Sequence, residues 1–252
     1  MNAIKYPIIL LFSLVSFTIY SQSKTITSRV FDWDEIENQD KVFTGNSDGF
    51  TYLDIAVKTI EPKGSLTIPG TGIESLVIMK SGKLDQQVGK QKASLGKGSI
   101  TLVHSNKALK LKNKGAEESV FYLIQWKGIN EQLYDKAPYP DAVMVDWDTV
   151  TFQETSKGGR RNIMRQPTPM LNEFEMHTTT LNEGLASHPP HTHLDEEIIL
   201  VRFGRVEESI DGDTYPADEG SFIFLRSMVP HGIRNIGEGQ CEYYAFRWIP
   251  RE

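Results

Sequence analysis

The chain contains itself twice. Displaced by 122 residues, GSITLVHSNKALKLKNKG (98–115) lies over GSFIFLRSMVPHGIRNIG (220–237). Gly98, Ser99, Ser105, Asn113 and Gly115 fall on Gly220, Ser221, Ser227, Asn235 and Gly237. The same displacement sets Glu74 on Glu196, Gly82 on Gly204, Tyr122 on Tyr244 and Trp126 on Trp248, with no gap from 74 to 126. These nine identities compare with roughly three expected from composition. A second match, FDWDEI (31–36) on VDWDTV (145–150), occurs at a displacement of 114. The second copy therefore carries extra residues, which we place in TSKGGRRNIMRQPTP. A repeat of this length predicts two units of one architecture.

Each unit reads as short strands and turns. YLDIAVKTI, SLVIMKSG, SITLV and SVFYLIQW are apolar or alternating runs rich in β-branched and aromatic residues, punctuated by Gly, Pro, Asn and Lys. That pattern predicts an all-β sandwich or barrel in each half. The expected boundaries are 30–130 for the first domain, 131–143 for the linker and 144–252 for the second domain. Residues 1–22 have one cation, Lys5, followed by an apolar stretch short for a membrane span. This is the layout of a secretory signal peptide, which predicts export, with the periplasm as destination, and no membrane span in the mature chain. The net charge of -6 argues against a nucleic-acid partner. A lone cysteine, Cys241, excludes an intrachain disulfide and a thiolate metal cluster.

The second copy holds SHPPHTHLDEEIILVRFG (187–204), with His188, His191 and His193 inside six residues. HTHLDEEIILVRFG resembles the first motif of the cupin superfamily, G-x5-H-x-H-x3,4-E-x6-G, through His191, His193, Glu197 and Gly204. GSFIFLRSMVPHGIRN resembles the second motif, G-x5-P-x-G-x2-H-x3-N, through Gly220, His231 and Asn235. Arg226 and Met228 stand at the motif's inner Pro and Gly positions, which predicts a different loop shape there. The resemblance implies two tandem cupin barrels (double-stranded β-helix, or jelly roll) and metal binding through His191, His193, Glu197 and His231. On a strand, residues two apart share a face, so His191 and His193 would point together and Glu197 would keep their parity. Three imidazoles and a carboxylate suit a divalent transition metal, manganese first, with iron, nickel, cobalt or zinc also compatible. His188 has the opposite parity and is expected at the pocket rim.

The first copy is an internal control. At the 122 displacement the four ligand positions hold Pro69, Thr71, Ser75 and Leu109, so this degenerate domain is expected to bind no metal there. Leu53, Ile55 and Val57 form the apolar parity of its LDIAVKT strand and are expected to face the barrel interior. Their counterparts at the same displacement are Glu175, His177 and Thr179. Polar groups inside a barrel are costly unless paired. Glu175 and His177 are therefore candidates for the general acid or base of a pocket. The retained pairs Tyr122/Tyr244 and Trp126/Trp248 are expected in the core.

Cupins carry many activities, and three functions stay open. The first is a metal-dependent lyase, isomerase or hydrolase acting on a small polar or carboxylated molecule, such as a sugar acid or a ureido compound, with the metal as Lewis acid. The second is an Fe(II) dioxygenase. The third is a non-catalytic binder of sugars or anions. A homodimer is also expected, because cupins often pair through their sheet edges.

Overall fold

The computed structural model describes residues 24–37, 39–104, 106–130 and 139–251. The leader read at 1–22, Ser105 and most of the 131–143 linker lie outside them.

Four antiparallel sheets are stacked as layers, two to a barrel. In the first barrel a six-stranded sheet faces a four-stranded one. The large sheet holds Phe43–Gly45, Phe50–Ile60, Glu74–Ser81, Ile100–Val103, Ser119–Gly128 and Ala142–Val145. The small sheet holds Ser65–Ile68, Lys83–Val88, Gln91–Gly96 and Leu109–Lys112. In the second barrel a seven-stranded sheet, with Leu171–Leu181, Glu196–Phe203 and Cys241–Pro250 at its centre, faces Val206–Ile210, Asp213–Ala217 and His231–Asn235. Each barrel has its own apolar core between its two sheets. A third and larger core lies between the two large sheets.

That third core explains the strand patterns. Ile100–Val103 and Phe222–Leu225 are buried at every residue. In the latter, Phe222 and Phe224 face the other barrel, while Ile223 and Leu225 face their own interior. Sheets covered on both faces read as continuous apolar runs, whereas the small outer sheets alternate. Leu109–Lys112 does so, its leucines buried and its lysines exposed.

The barrels exchange strands. Arg29–Phe31 pairs with Phe222–Leu225 in the second barrel, and Ala142–Val145 pairs with Ile100–Val103 in the first. The latter strand begins inside the stretch read as linker. The barrels therefore do not coincide with residues 30–130 and 144–252, because each takes a strand from the other's sequence. The repeated DWD motifs follow these strands and clasp the opposite barrel. Trp33 N–H donates to Ser221 Oγ and Trp147 N–H to Ser99 Oγ, both at 3.1 Å. Trp33 lies edge-on to Tyr122 and Trp147 to Tyr244. Tyr122 Oη–H donates to the Gly220 carbonyl at 3.0 Å, and Tyr244 Oη–H to the Gly98 carbonyl at 2.9 Å. Gly98 and Gly220 sit at φ +88 and +97, and a Cβ on either would lie within 2.8 Å of a Trp147 or Trp33 ring atom. Both the backbone angle and the ring contact require glycine. Three of the nine identities, at Gly98, Ser99 and Tyr122, are thus one contact made twice.

The retained tryptophans also have polar partners. Trp126 Nε1–H donates to Glu74 at 2.9 Å, and Trp248 Nε1–H to Glu196 at 3.3 Å. Thr168 donates to the same Glu74 oxygen at 2.7 Å, and the other oxygen has no partner. Burial pushes the Glu74 carboxyl up to about 7, against the hydrogen bonds from Thr168 and Trp126. Between the unfolded value near 4.5 and about 7, the folded chain holds a proton that the unfolded chain has lost. Stability falls as pH rises through that window, by roughly 3 kcal/mol from this group. Glu74→Gln keeps an acceptor without the charge. Urea unfolding of this variant at pH 5 and pH 8 is expected to show a correspondingly smaller loss than the wild type.

Candidate metal centre

His191 and His231 face each other across an isolated antiparallel bridge closed by two backbone hydrogen bonds of 3.0 Å. His231 opens the strand His231–Asn235, and Glu197 stands near the start of Glu196–Phe203. His193 lies in the loop before that strand, so strand parity does not aim the first two histidines. The bridge fixes His191, and a backbone bond from Met228 N–H to the His193 carbonyl, 2.8 Å, fixes the next turn. Met228 adopts φ +62, the left-handed backbone that glycine favours. The loop thus keeps a glycine-type angle at this position, where a different shape was expected from the sequence.

One nitrogen from each of His191, His193 and His231 lies within 4.8 Å of the other two. His193 Nδ1 is 2.8 Å from the Asp195 carbonyl, and His231 Nδ1 is 2.8 Å from the Val229 carbonyl. A carbonyl only accepts, so these contacts place a proton on Nδ1 and turn Nε2, the nitrogen that can share a proton with Glu197 or hold an ion, toward the cluster. His231 Nε2 is buried and has no hydrogen-bond partner. Glu197 Oε2 sits 3.2 Å from His193 Nε2 and 3.5 Å from His231 Nε2. Burial alone would raise the Glu197 carboxyl, but His193 and His231 outweigh it and hold it at about 2. The donors fit a divalent transition ion, with three imidazole nitrogens converging beside an ionised carboxylate. His188 is exposed at the rim, its ring 4.0 Å from that of His191 and its Nδ1 directed at the Pro189 carbonyl.

The cluster opens into a cavity of about 480 Å³ between the two sheets of the second barrel. Glu175, His177 and Thr179 line it. That orientation does not arise from the apolar strand face suggested by the sequence. Leu53 pairs with Trp126, and Phe174 pairs with Trp248. In this strand the copies are therefore related by 121 residues, so Glu175 and His177 correspond to Asp54 and Ala56. Leu53, Ile55 and Val57 do not face the first barrel's interior. They pack in the core between the barrels, beside Phe174 and Met176. A slip of one residue exchanges the two faces of a strand.

Arg247 donates to Glu175 Oε2 through Nε at 3.0 Å and Nη2 at 2.7 Å, and Arg160 approaches Oε1 at 3.3 Å. Burial raises the Glu175 carboxyl, yet Arg247 more than offsets it and holds the group below the usual carboxylate range. Arg247 also donates to Asp195 at 2.7 Å, and so ties the pocket wall to the loop that carries His193. His177 is different. Its Nδ1 is buried without a hydrogen bond, 3.6 Å from Glu175 Oε1, and burial followed by the Arg160 charge lowers its pKa against the pull of Glu197 and Glu175. Glu175 is thus a fixed anion, and His177 is a neutral imidazole free to take a proton.

Arg226 pairs with Asp48 of the first barrel at 2.6 Å, so it is spent between barrels. KGGRR is largely strand (Gly158–Gln166), with Lys157, Gly159 and Arg160 at the cavity. Sequence reasoning missed Glu208. It lines the cavity with no solvent exposure and no partner for either oxygen. Burial drives its carboxyl well above the usual range, the charge of Glu197 adds to this, and the Gly232 amide opposes it. Its signal was an acid on the buried face of VEESI, between Val206 and Ile210.

Two antiparallel jelly rolls joined back to back, with a histidine–carboxylate cluster in the mouth of one, define a two-barrel protein of the double-stranded β-helix class. Residues 177–247, which include all four candidate ligands, match the family model described as "Cupin domain". The second barrel is thus similar to a cupin domain over the segment that carries the cluster. Its fold is similar to that of the E. coli protein Ylba (15% identity, TM-score 0.65, covering 92% of this chain and 96% of that one). It is also similar to the Lactobacillus farciminis oxalate decarboxylase (10%, 0.63, 89% and 81%). The salicylate 1,2-dioxygenase of Pseudoaminobacter salicylatoxidans is a third likeness (11%, 0.63, 90% and 82%). No curated protein matches the sequence.

Elemental analysis of the protein without a His-tag should find roughly one divalent transition ion per chain, lost below about pH 6 as the imidazoles protonate. The double variant His191→Ala/His231→Ala should hold none. Equal metal in the two proteins would rule the cluster out.

Proposed function

We propose that this chain is an exported, metal-dependent enzyme: a lyase, isomerase or hydrolase acting on a small polar or carboxylated molecule such as a sugar acid or a ureido compound. The leader-like stretch at 1–22 supports export to the periplasm. Among the described residues no helix is long and apolar enough to cross a membrane.

The observation that carries the reading is His177. A half-buried imidazole, its Nδ1 without a hydrogen bond and 3.6 Å from Glu175 Oε1, lines the same cavity as the ligand cluster. An imidazole kept neutral beside the ligand cluster is placed to move a proton, a role that a non-catalytic binder does not use. When bound at the cluster, a divalent ion, manganese first, supplies Lewis acidity toward a carbonyl or carboxylate oxygen. His177 Nδ1 then accepts a proton from the substrate or from a water beside it, and returns it later in the cycle. Arg247 and Arg160 keep Glu175 ionised, so it does not compete as the acid. The walls, Ile199, Ile233 and Ala245, exclude bulk water from this end.

His177→Ala is expected to lower kcat by roughly 10²- to 10⁴-fold with its metal content unchanged. The assay would screen unsaturated uronates, ureido compounds and small dicarboxylates. An unchanged kcat, or ligand affinity lost with no turnover in the wild type, would favour a binder. Iron at the site with oxygen consumption would move the assignment to a dioxygenase.

A further inference from the structure

Six unpartnered buried atoms line the one cavity: Arg160 Nε, His177 Nδ1, Ser187 Oγ, both Glu208 carboxyl oxygens and His231 Nε2. The histidine nitrogens are accounted for by the ligand cluster and the proton-moving role. Glu208 is not. It projects from the face of Val206–Ile210 that points into the barrel, opposite Ile233, while Ile210 of the same face pairs with His231. Glu208 is therefore the diagonal neighbour of His231, a spacing of roughly 7–8 Å between backbones. A ligand a few bonds long could touch both.

The other acids at the site have partners. Arg247 and Arg160 hold Glu175, Arg247 holds Asp195, and His193 and His231 flank Glu197. Among the described residues no cation pairs with Glu208, and no hydrogen bond of normal geometry satisfies it. An unsatisfied buried carboxyl costs about 1–3 kcal/mol or more, whereas an apolar residue beside Ile233 would cost nothing. We propose that Glu208 forms the floor of the substrate subsite, where it takes a hydrogen-bond-donating group of the ligand, a hydroxyl or an amine, while the ligand's other end reaches the histidine cluster. This rests on reading the cavity as a substrate pocket. It adds that the substrate is bifunctional: a group that approaches the cluster, and a donor at the far end.

The test uses three carboxylates of similar length as probes: D-glucuronate, 6-aminohexanoate and hexanoate. Each is titrated calorimetrically into wild-type protein, metal-loaded and metal-stripped, and into Glu208→Leu. At least one donor-bearing probe should bind the wild type roughly 10-fold tighter than hexanoate, as one or two hydrogen bonds predict. Glucuronate preferred identifies a hydroxyl, and 6-aminohexanoate an amine. Glu208→Leu should abolish that preference while hexanoate affinity and metal content stay unchanged. This variant is expected to fold and to melt higher, since an apolar group replaces an unsatisfied one. If it does not fold, Glu208→Gln replaces it. The first barrel holds Gln86 at the equivalent place, 122 residues earlier, and tolerates it buried with neither side-chain polar atom hydrogen-bonded, and this variant should weaken the preference by roughly 3-fold or more. A wild type that does not distinguish the probes, or a preference that survives the substitution, overturns the proposal. Loss of the metal reading would show separately, as a wild type without metal whose stripped form still discriminates through Glu208.

Discussion

Everything in this molecule hangs on a contact made twice, the ring of a tryptophan laid on a glycine of the opposite barrel. Trp33 covers Gly220, and Trp147 covers Gly98. A tyrosine from the far barrel donates to each glycine carbonyl. A cation lies over each ring, Lys80 at 4.1 Å and Arg202 at 3.8 Å. The exchanged strands bring the tryptophans into place, and the large sheets are thereby held back to back. Between them, Phe50 stacks on both Trp126 and Trp248. With one face of each large sheet committed to this core, the space left for a ligand is the interior between a barrel's own two sheets.

Because the clasp and the core are common to both copies, the differences between them isolate the chemistry. Three adjacent strands carry one row of side chains into each barrel. In the second barrel the row is Glu175, Arg247 and Glu197; in the first it is Asp54, Gln125 and Ser75. Gln125 donates to Ser75 at 2.9 Å and Thr44 donates to Asp54, so the first row is hydrogen-bonded within the chain. Leu109 occupies the place of His231 and is fully buried in an apolar core. Asn113 and Asn235, by contrast, make the same bonds. Each amide spans two carbonyls, Ile60 and Glu117 in one copy and Leu181 and Gly239 in the other. Retained residues hold turns and interfaces, and altered ones line the second cavity.

The repeat and the spacing of the histidines were legible in the sequence, since both are properties of single short segments. The two-barrel, all-β architecture followed from them. What was not legible depends on pairing between distant segments. The displacement of 122 is right along the chain from 74 to 126, but an offset of one residue relates Phe50–Ile60 to Leu171–Leu181. Only the cross-strand partners Trp126 and Trp248 reveal it. Glu175 and His177 were placed in the pocket by an argument that compared them with the wrong residues. Its premise, that an apolar parity must face a barrel's own interior, fails where a sheet is buried on both sides. Strand exchange was hidden for the same reason, although the DWD repeat, at its own displacement of 114, was its trace. Glu208 could have been found by asking why an acid occupies the apolar parity of VEESI.

Charge pairing around the cavity says which of its groups are fittings and which are tools. Arg247 grips Glu175 with two nitrogens and Asp195 with the third, and the Asp195 carbonyl orients His193. One guanidinium thus offsets two carboxylates and steadies a ligand histidine, a planar fork for which lysine could not substitute. Arg202 and Arg161 do the same for buried Glu242 beneath the clasp, at 2.7 and 3.0 Å. A chain that compensates its buried acids this thoroughly leaves informative exceptions. Along the cavity they include the nitrogens of His177 and His231 and the carboxyl of Glu208. All three stand in the second barrel, on elements whose counterparts in the first carry Ala56, Leu109 and Gln86. These groups stand at the mouth of the second barrel, where a ligand rather than the chain can satisfy them.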